Sequence, residues 1–195
     1  MIIIKEKYKK EVVGAMKKEF GYKNDLAVPC IKKVVLNIGT GAALKDKKIL
    51  DLIKENLRMI SGQEPILRKA KKSIAGFKIR EGLIVGMKVT LRRQRMFDFL
   101  DKFVNIVLPR VRDFNGISFS SIDQQGNLNI GIKEHNVFLE VDPNKVQHIH
   151  GLEIAVVTNA KSRAEGQRLF ILLGFPMQKL DNKDATIQKH KHINK

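Results

Sequence analysis

The run Leu83-Ile84-Val85-Gly86-Met87-Lys88-Val89-Thr90-Leu91-Arg92 carries the clearest structural signal in this chain. Its Val85, Met87, Val89 and Leu91 alternate with Gly86, Lys88, Thr90 and Arg92, and a period of two sends successive side chains to opposite faces of a β-strand. One face is apolar and the other cationic and hydroxylic, so the strand belongs to a sheet covered on one side, as antiparallel sheets commonly are. Toward the N-terminus, Pro29 opens a second strand, Ile31 to Ile38, where Val34, Leu36 and Ile38 oppose Lys33, Val35 and Asn37. Asp123-Gln124-Gln125-Gly126-Asn127 reads as a hairpin turn into Leu128 to Lys133, and Leu152 to Thr158 reads as a further strand.

Between the strands the apolar spacing changes to three and four. Lys5 to Phe20 carries Tyr8, Val12, Met16 and Phe20 and ends near Gly21. About Asp46 to Ile60 carries Ile49, Leu52, Ile53, Leu57 and Ile60 and stops at Gly62. Roughly Gln94 to Val107 carries Met96, Phe99, Leu100, Phe103 and Val107, with Pro109 as its end. Ser162-Arg163-Ala164-Glu165 forms a capping box for a last helix closed by Gly174 and Pro176. One-sided helices with alternating strands give an α+β domain, its antiparallel or mixed sheet carrying the helices on one face. The other face stays polar, offering Lys33 and Asn37, then Lys88, Thr90 and Arg92, then Asn129 and Lys133. Pro65 to Arg68 is a short stretch before a basic loop, Lys69 to Gly82, and Asn136 to Ile149 reads as a long exposed loop. A single domain spans 1–180, and 181–195, almost without apolar residues, reads as a basic, disordered tail.

Charge narrows the function. The formal net charge is +17, and residues 68 to 95 hold Arg68, Lys69, Lys71, Lys72, Lys78, Arg80, Lys88, Arg92, Arg93 and Arg95 against one acid, Glu81. These cations are interleaved with Ile74, Phe77, Ile79 and the strand residues, so they belong to a folded surface whose natural partner is a polyanion. A membrane is the weaker candidate. The basic segment is loop and strand rather than an amphipathic helix, and the chain has neither a spanning apolar run nor a signal arrangement. Aromatic residues make up 6% of the chain and tryptophan is absent, so the open face offers no stacking pair for extended single strands, and structured RNA is the better partner. A helix-turn-helix reading fails because the charge sits on a loop and a strand.

Catalysis and cofactors find little support. Gly39-Thr40-Gly41 between strand and helix suggests a phosphate loop, yet Leu44 stands where the third glycine belongs and no Gly-Lys-Ser/Thr follows. His148 with His150, and His190 with His192, lack a third ligand and read as surface histidines. Cys30, the only cysteine, reads as a buried small hydrophobe. The carboxylates Asp98, Asp101, Asp113, Asp123, Glu134 and Glu140 are scattered and form no acid-base pair. No metal and no cofactor is expected, and the protein is read as not an enzyme. An RNA-modifying enzyme and a free structured-RNA-binding or transfer-RNA-binding regulator are the competing readings.

Several stretches resemble one family. They are Lys33-Val34-Val35-Leu36-Asn37-Ile38-Gly39, Gly62-Gln63-Glu64-Pro65, Ala70-Lys71-Lys72-Ser73-Ile74-Ala75-Gly76-Phe77-Lys78-Ile79-Arg80-Glu81-Gly82, Lys88-Val89-Thr90-Leu91-Arg92, Met96-Phe97-Asp98-Phe99-Leu100, Leu108-Pro109-Arg110-Val111-Arg112-Asp113-Phe114 and Val157-Thr158-Asn159-Ala160. In this order, across roughly residues 25 to 177, they are similar to large-subunit ribosomal protein number five, the family that binds 5S ribosomal RNA.

The resemblance implies a curved, mainly antiparallel sheet with helices behind it, like the RNA-recognition-motif sandwich. It implies a structural constituent of the large subunit that helps attach 5S ribosomal RNA in the central protuberance, contacting large-subunit ribosomal RNA and neighbouring ribosomal proteins. By position, Lys33, Asn37, Gln63, Lys69, Lys71, Lys72, Lys88, Thr90, Arg92 and Arg93 would meet ribosomal RNA. Ser73, Gly76, Phe77, Lys78 and Arg80 would form a loop reaching the transfer RNA of the peptidyl site, with Gly76 allowing close backbone approach. Asn136, Asp142, Asn144 and Lys145 would bridge to a protein of the small-subunit head. The setting would be a cytoplasmic ribosome or an organellar one. Three positions depart from the family's habit: Arg93 replaces a usual Gly, Ile122 a usual Phe and Leu139 a usual Pro.

Overall fold

The computed structural model describes residues 3–41, 47–141 and 149–178. Helix α1 comprises Ile3–Lys7, a π-helical turn at Tyr8–Val12, and Val13–Phe20. Ile4, Val12 and Met16 are buried on its inner stripe, and Gly21, at φ 70°, closes it by donating its N–H to the Lys17 carbonyl at 3.0 Å. Strand β1 is Ile31–Gly39 and helix α2 is Lys47–Ser61. Then come β2, Ile66–Lys69, and β3, Ile84–Leu91. Helix α3 comprises Arg93–Lys102, a π-helical turn at Phe103–Val107, and Leu108–Arg110. Strands β4, Leu128–Ile132, and β5, Leu152–Thr158, precede helix α4, Arg163–Leu173.

The five strands form one open sheet in the order β2-β3-β1-β5-β4, antiparallel at every pairing. The inner face buries Val34, Leu36 and Ile38 of β1, Met87, Val89 and Leu91 of β3, and Ile154 and Val156 of β5. Against it lie Ile53, Leu57 and Ile60 of α2, Met96, Phe99, Leu100 and Phe103 of α3, and Leu169 and Phe170 of α4, all in one core. Stacked rings reinforce that core, with Phe99 5.9 Å from Phe103 and 6.3 Å from Phe138 between centroids. The expected α+β architecture, with helices on one face of an antiparallel sheet, is the fold of this chain.

Several local expectations change. The short stretch at Pro65 to Arg68 belongs to a strand, since Ile66–Lys69 pairs with β3 as the edge strand of the sheet. All four of its residues are exposed, so it shows no alternation for sequence reasoning to find. The loop expected to be exposed from Asn136 is anchored in its described part, since Phe138 and Val141 are buried and His135–Val137 is a 3-10 turn, while Leu139 and Ile149 stay exposed. Apolar anchors without a regular period pin it to α3. His150 is not a surface residue: it is buried, its ring 3.7 Å from that of His135. Cys30 is half-buried rather than buried, and its N–H donates to Asn159 Oδ1 at 2.6 Å.

Pro109 does not stop α3 but sits inside its last turn, as the second residue of Leu108–Arg110 directly after the π-helical turn, and the helix ends one residue later. Only half of the capping box forms as expected. Ser162 Oγ accepts from the Glu165 N–H at 3.3 Å, whereas Glu165 Oε2 accepts from the Lys161 N–H at 2.8 Å. His148, His190, His192 and the tail from 181 to 195 lie outside the described residues.

Candidate nucleic-acid interface

The basic segment divides into three parts along β3. At the start of the strand, residues 70–83 form an ordered hairpin rather than a plain loop. The Ala70 N–H donates to the Leu83 carbonyl at 2.8 Å, and Ile74 and Ile79 exchange backbone bonds at 2.9 and 3.2 Å. Ala75–Phe77 makes a 3-10 turn at the tip, and Lys78 takes the left-handed conformation at φ 54° that reverses the chain. Ser73 turns out to brace the hairpin, its Oγ accepting from the Glu81 N–H at 2.9 Å. Gly76 has open space where a side chain would stand and Phe77 is 73% exposed, so the tip presents flat backbone beside an aromatic ring. Lys71, Lys72, Lys78 and Arg80 are exposed around it.

At the far end of β3, roughly 25 Å away for an eight-residue strand, Arg92, Arg93 and Arg95 are exposed where α3 begins. Arg93 has a left-handed φ of 52°. Lys88, half-buried, lies between the two ends on the outer face. The edge strand adds exposed Arg68 and Lys69.

Among the described residues none of these ten cations pairs with a carboxylate. The ion pairs lie elsewhere, at Lys10–Glu6, Lys17–Asp25, Lys54–Glu64, Arg58–Glu64, Lys102–Glu140 and Arg168–Glu19. The hydrogen bond from Lys54 holds the Glu64 carboxyl below the usual carboxylate range, so that acid stays charged and engaged with the helix that precedes it. The cations of residues 68 to 95 therefore remain free to neutralise an external anion.

Cross-strand registers set what lies between the two basic ends. Val35 is opposite Thr90 on one side and Ala155 on the other, and Lys33 is opposite Val157. Asn37 is opposite Lys88 and Glu153, and its Nδ2 donates to Glu153 Oε2 at 3.1 Å. Lys33, Asn37 and Thr90 are half-buried. Gln63 is also half-buried; its Nε2 donates to the Thr90 carbonyl at 3.4 Å and ties the end of α2 to the arginine end of β3. The face is thus brought together much as the spacing predicts, with one difference. Strand β5 lies between β1 and β4 and adds Glu153, Ala155 and Val157. The alternation of Leu152–Thr158 holds that signal, but only the pairing of β5 with β1 places it on this face.

Of the expected bridge residues, Asn136 is half-buried in the 3-10 turn, and Asp142, Asn144 and Lys145 lie outside the described residues. Among the described residues no group of three or more His, Cys, Asp or Glu is arranged to hold a metal ion, and no helix is long and apolar enough to cross a membrane.

Known proteins match this sequence over most of its length. The model of the family described as ribosomal protein L5 matches residues 24–80, and the companion model for the C-terminus of the same ribosomal family matches residues 84–177. The large ribosomal subunit protein uL5 of Desulforapulum autotrophicum is 51% identical over 178 residues, covering 91% of this chain and 99% of the relative. Its namesakes from Carboxydothermus hydrogenoformans and Caldanaerobacter subterraneus are 48% and 51% identical over 176 residues, each covering 90% of this chain and 98% of the relative. With two models spanning both halves of the sheet and relatives near half identity over almost their whole length, the chain belongs to the ribosomal protein L5 family, a family of structural rather than catalytic proteins.

Proposed function

We propose that this chain is a structural constituent of the large ribosomal subunit that binds 5S ribosomal RNA on the outer sheet face and helps attach it in the central protuberance. The observation that carries the reading is the strip of ten cations, unpaired among the described residues, along β2, the hairpin, β3 and the start of α3, with neutral hydrogen-bonding groups between its ends. Lys69, Lys71, Lys72, Lys88, Arg92 and Arg93 neutralise phosphates, with Lys33 beside the arginine end. Asn37 and Thr90 meet sugar and backbone oxygens from the sheet. Gln63 acts partly by holding β3 in place through the Thr90 carbonyl.

In the same reading the hairpin tip, from Ser73 to Arg80, contacts the transfer RNA of the peptidyl site. Exposed Phe77 packs on sugar or base, and Lys78 and Arg80 reach phosphates. Asn136 and the residues after it face a protein of the small-subunit head. Large-subunit ribosomal RNA and neighbouring ribosomal proteins complete the surroundings, and the bacterial relatives favour a cytoplasmic ribosome.

The test is affinity for 5S ribosomal RNA across a salt series, with transfer RNA and a plain RNA duplex as competitors. Preference for 5S RNA by orders of magnitude at physiological salt supports shape-specific binding. Equal competition by all three, with binding that collapses as salt rises, reduces the strip to non-specific charge and refutes the reading.

A further inference from the structure

Glu153 is the odd residue of the outer face. The registers line up Ile66, Lys88, Asn37, Glu153 and Gly131 in one row from β2 to β4. Around Glu153 the same face carries mostly small residues, with Asn129 and Lys133 exposed diagonally to it, two residues before and after Gly131. Gly131 is its partner on β4, Gly151 and Ala155 lie two residues before and after it, and Gly39 lies two residues beyond Asn37. Nothing stands within 4 Å of the place a Cβ would take at Gly131 or Gly39. The carboxylate is exposed in this clearing, with Oε2 accepting from Asn37 Nδ2. Among the described residues no cation pairs with it. Lys88, the cation of its row, is two strands away, roughly 10 Å.

A carboxylate offers a phosphate no hydrogen bond, and two anions pressed together where water is displaced repel strongly. RNA lying over the middle of this face must therefore keep its phosphates away from Glu153 and turn a hydrogen-bond donor toward it. RNA carries two kinds of neutral donor, the ribose 2′-hydroxyl and the base N–H groups. The clearing gives either one room to reach the second carboxylate oxygen. We propose that Glu153 is a specificity-determining residue of the RNA face, accepting a hydrogen bond from a ribose 2′-hydroxyl or a base N–H while excluding phosphate from the centre of the sheet. Asn37, with one Nδ2 N–H engaged by that carboxylate, keeps its second N–H and adds Oδ1 as a further acceptor in the row. The inference rests on the reading that RNA covers the outer face.

Glu153→Gln keeps the size of the side chain and removes its charge at an exposed site. Binding of the full chain to 5S RNA and to a plain RNA duplex is measured at physiological salt, beside Lys88→Ala and Thr90→Ala, with thermal melts as a check on folding. The expected result is about tenfold weaker binding to 5S RNA for Glu153→Gln, the scale of one charge-assisted hydrogen bond, with duplex binding unchanged or tighter. Equal or tighter 5S binding by Glu153→Gln, while Lys88→Ala and Thr90→Ala still weaken it, overturns the role of Glu153 and leaves the RNA face standing. If none of the three affects 5S binding, the RNA face falls with it. To distinguish the donors, 5S RNA made with 2′-deoxynucleotides is titrated against the unaltered chain and Glu153→Gln. A deoxy loss that is smaller in the variant by the full Glu153→Gln factor identifies a 2′-hydroxyl, and one of equal size in both proteins identifies a base N–H.

Discussion

Replacing Arg93 by glycine should make the free protein more stable and its RNA complex weaker. Arg93 holds φ at 52°, in the left-handed region, where the Cβ of a non-glycine residue crowds the next carbonyl at a cost of about 1–2 kcal/mol. Glycine escapes that crowding but loses about 0.5–1 kcal/mol more in chain entropy on folding. The net gain for Arg93→Gly is therefore about 0.5–1 kcal/mol, which raises the melting temperature of a chain this size by about 1–4 °C. The same substitution deletes one cation of the strip. If Arg93 meets a phosphate, the slope of log affinity against log salt becomes shallower by about 0.9, so the loss of affinity between about 50 and 200 mM salt shrinks roughly threefold. Arg93→Ala is the control, because it removes the cation and keeps the strained backbone. Calorimetric melts of the free chain and a salt series with 5S RNA read both quantities. An equal rise in melting temperature for Arg93→Ala would show that relief of charge repulsion, not of backbone strain, stabilises the variant.

Three further variants probe the frame and the strip. Gly166→Ala places a Cβ 2.4 Å from the Gly126 Cα and 2.7 Å from the Gly126 carbonyl oxygen; the loss expected in urea unfolding is about 2–3 kcal/mol or more, and one below about 0.5 would mean that α4 and the β4 turn part freely. Partial burial disfavours the charged form of Asp123, but the Asn127 side chain and the backbone N–H groups of Asn127, Gln125 and Gly126 outweigh it and hold the carboxyl below its ordinary value. Its contribution is therefore present above the unfolded carboxylate range and lost as pH falls through the folded value, so the stability of Asp123→Asn should depend less on pH below about 4. Parallel acid-unfolding curves for the two proteins would refute that. Lys71→Ala combined with Lys72→Ala should make the salt slope of 5S binding shallower by roughly 1.4–1.8 without moving the melt; an unchanged slope would place both lysines off the RNA.

The sheet and its helices were legible because burial here follows period. Val34, Leu36 and Ile38, and Met87, Val89 and Leu91, are buried at alternate positions, and Phe99, Leu100 and Phe103 are buried at helical spacing. What escaped lacked a period or depended on a partner strand. Ile66–Lys69 is an edge strand open to solvent at all four residues, so its residues report no buried side. Phe138 and Val141 fasten an irregular segment by single contacts, which no repeat announces. His135 and His150 are buried against one another across fifteen residues of sequence. The candidate RNA face was legible in its cations and amides. Its carboxylate was not, since a residue of β5 joins that face beside Asn37 only through strand order, and strand order is decided by the packing of the whole chain.

The open edge of the sheet has a consequence for handling the protein. β2 presents unpaired backbone groups beside exposed Ile66 and Leu67, the combination through which two copies can zip strand to strand. Arg68 and Lys69, together with the cations of the hairpin, repel a second copy before that pairing can form. A polyanion that neutralises those cations without covering the edge removes the repulsion. Substoichiometric RNA, rather than RNA in excess or none at all, is therefore the condition under which the purified chain should precipitate.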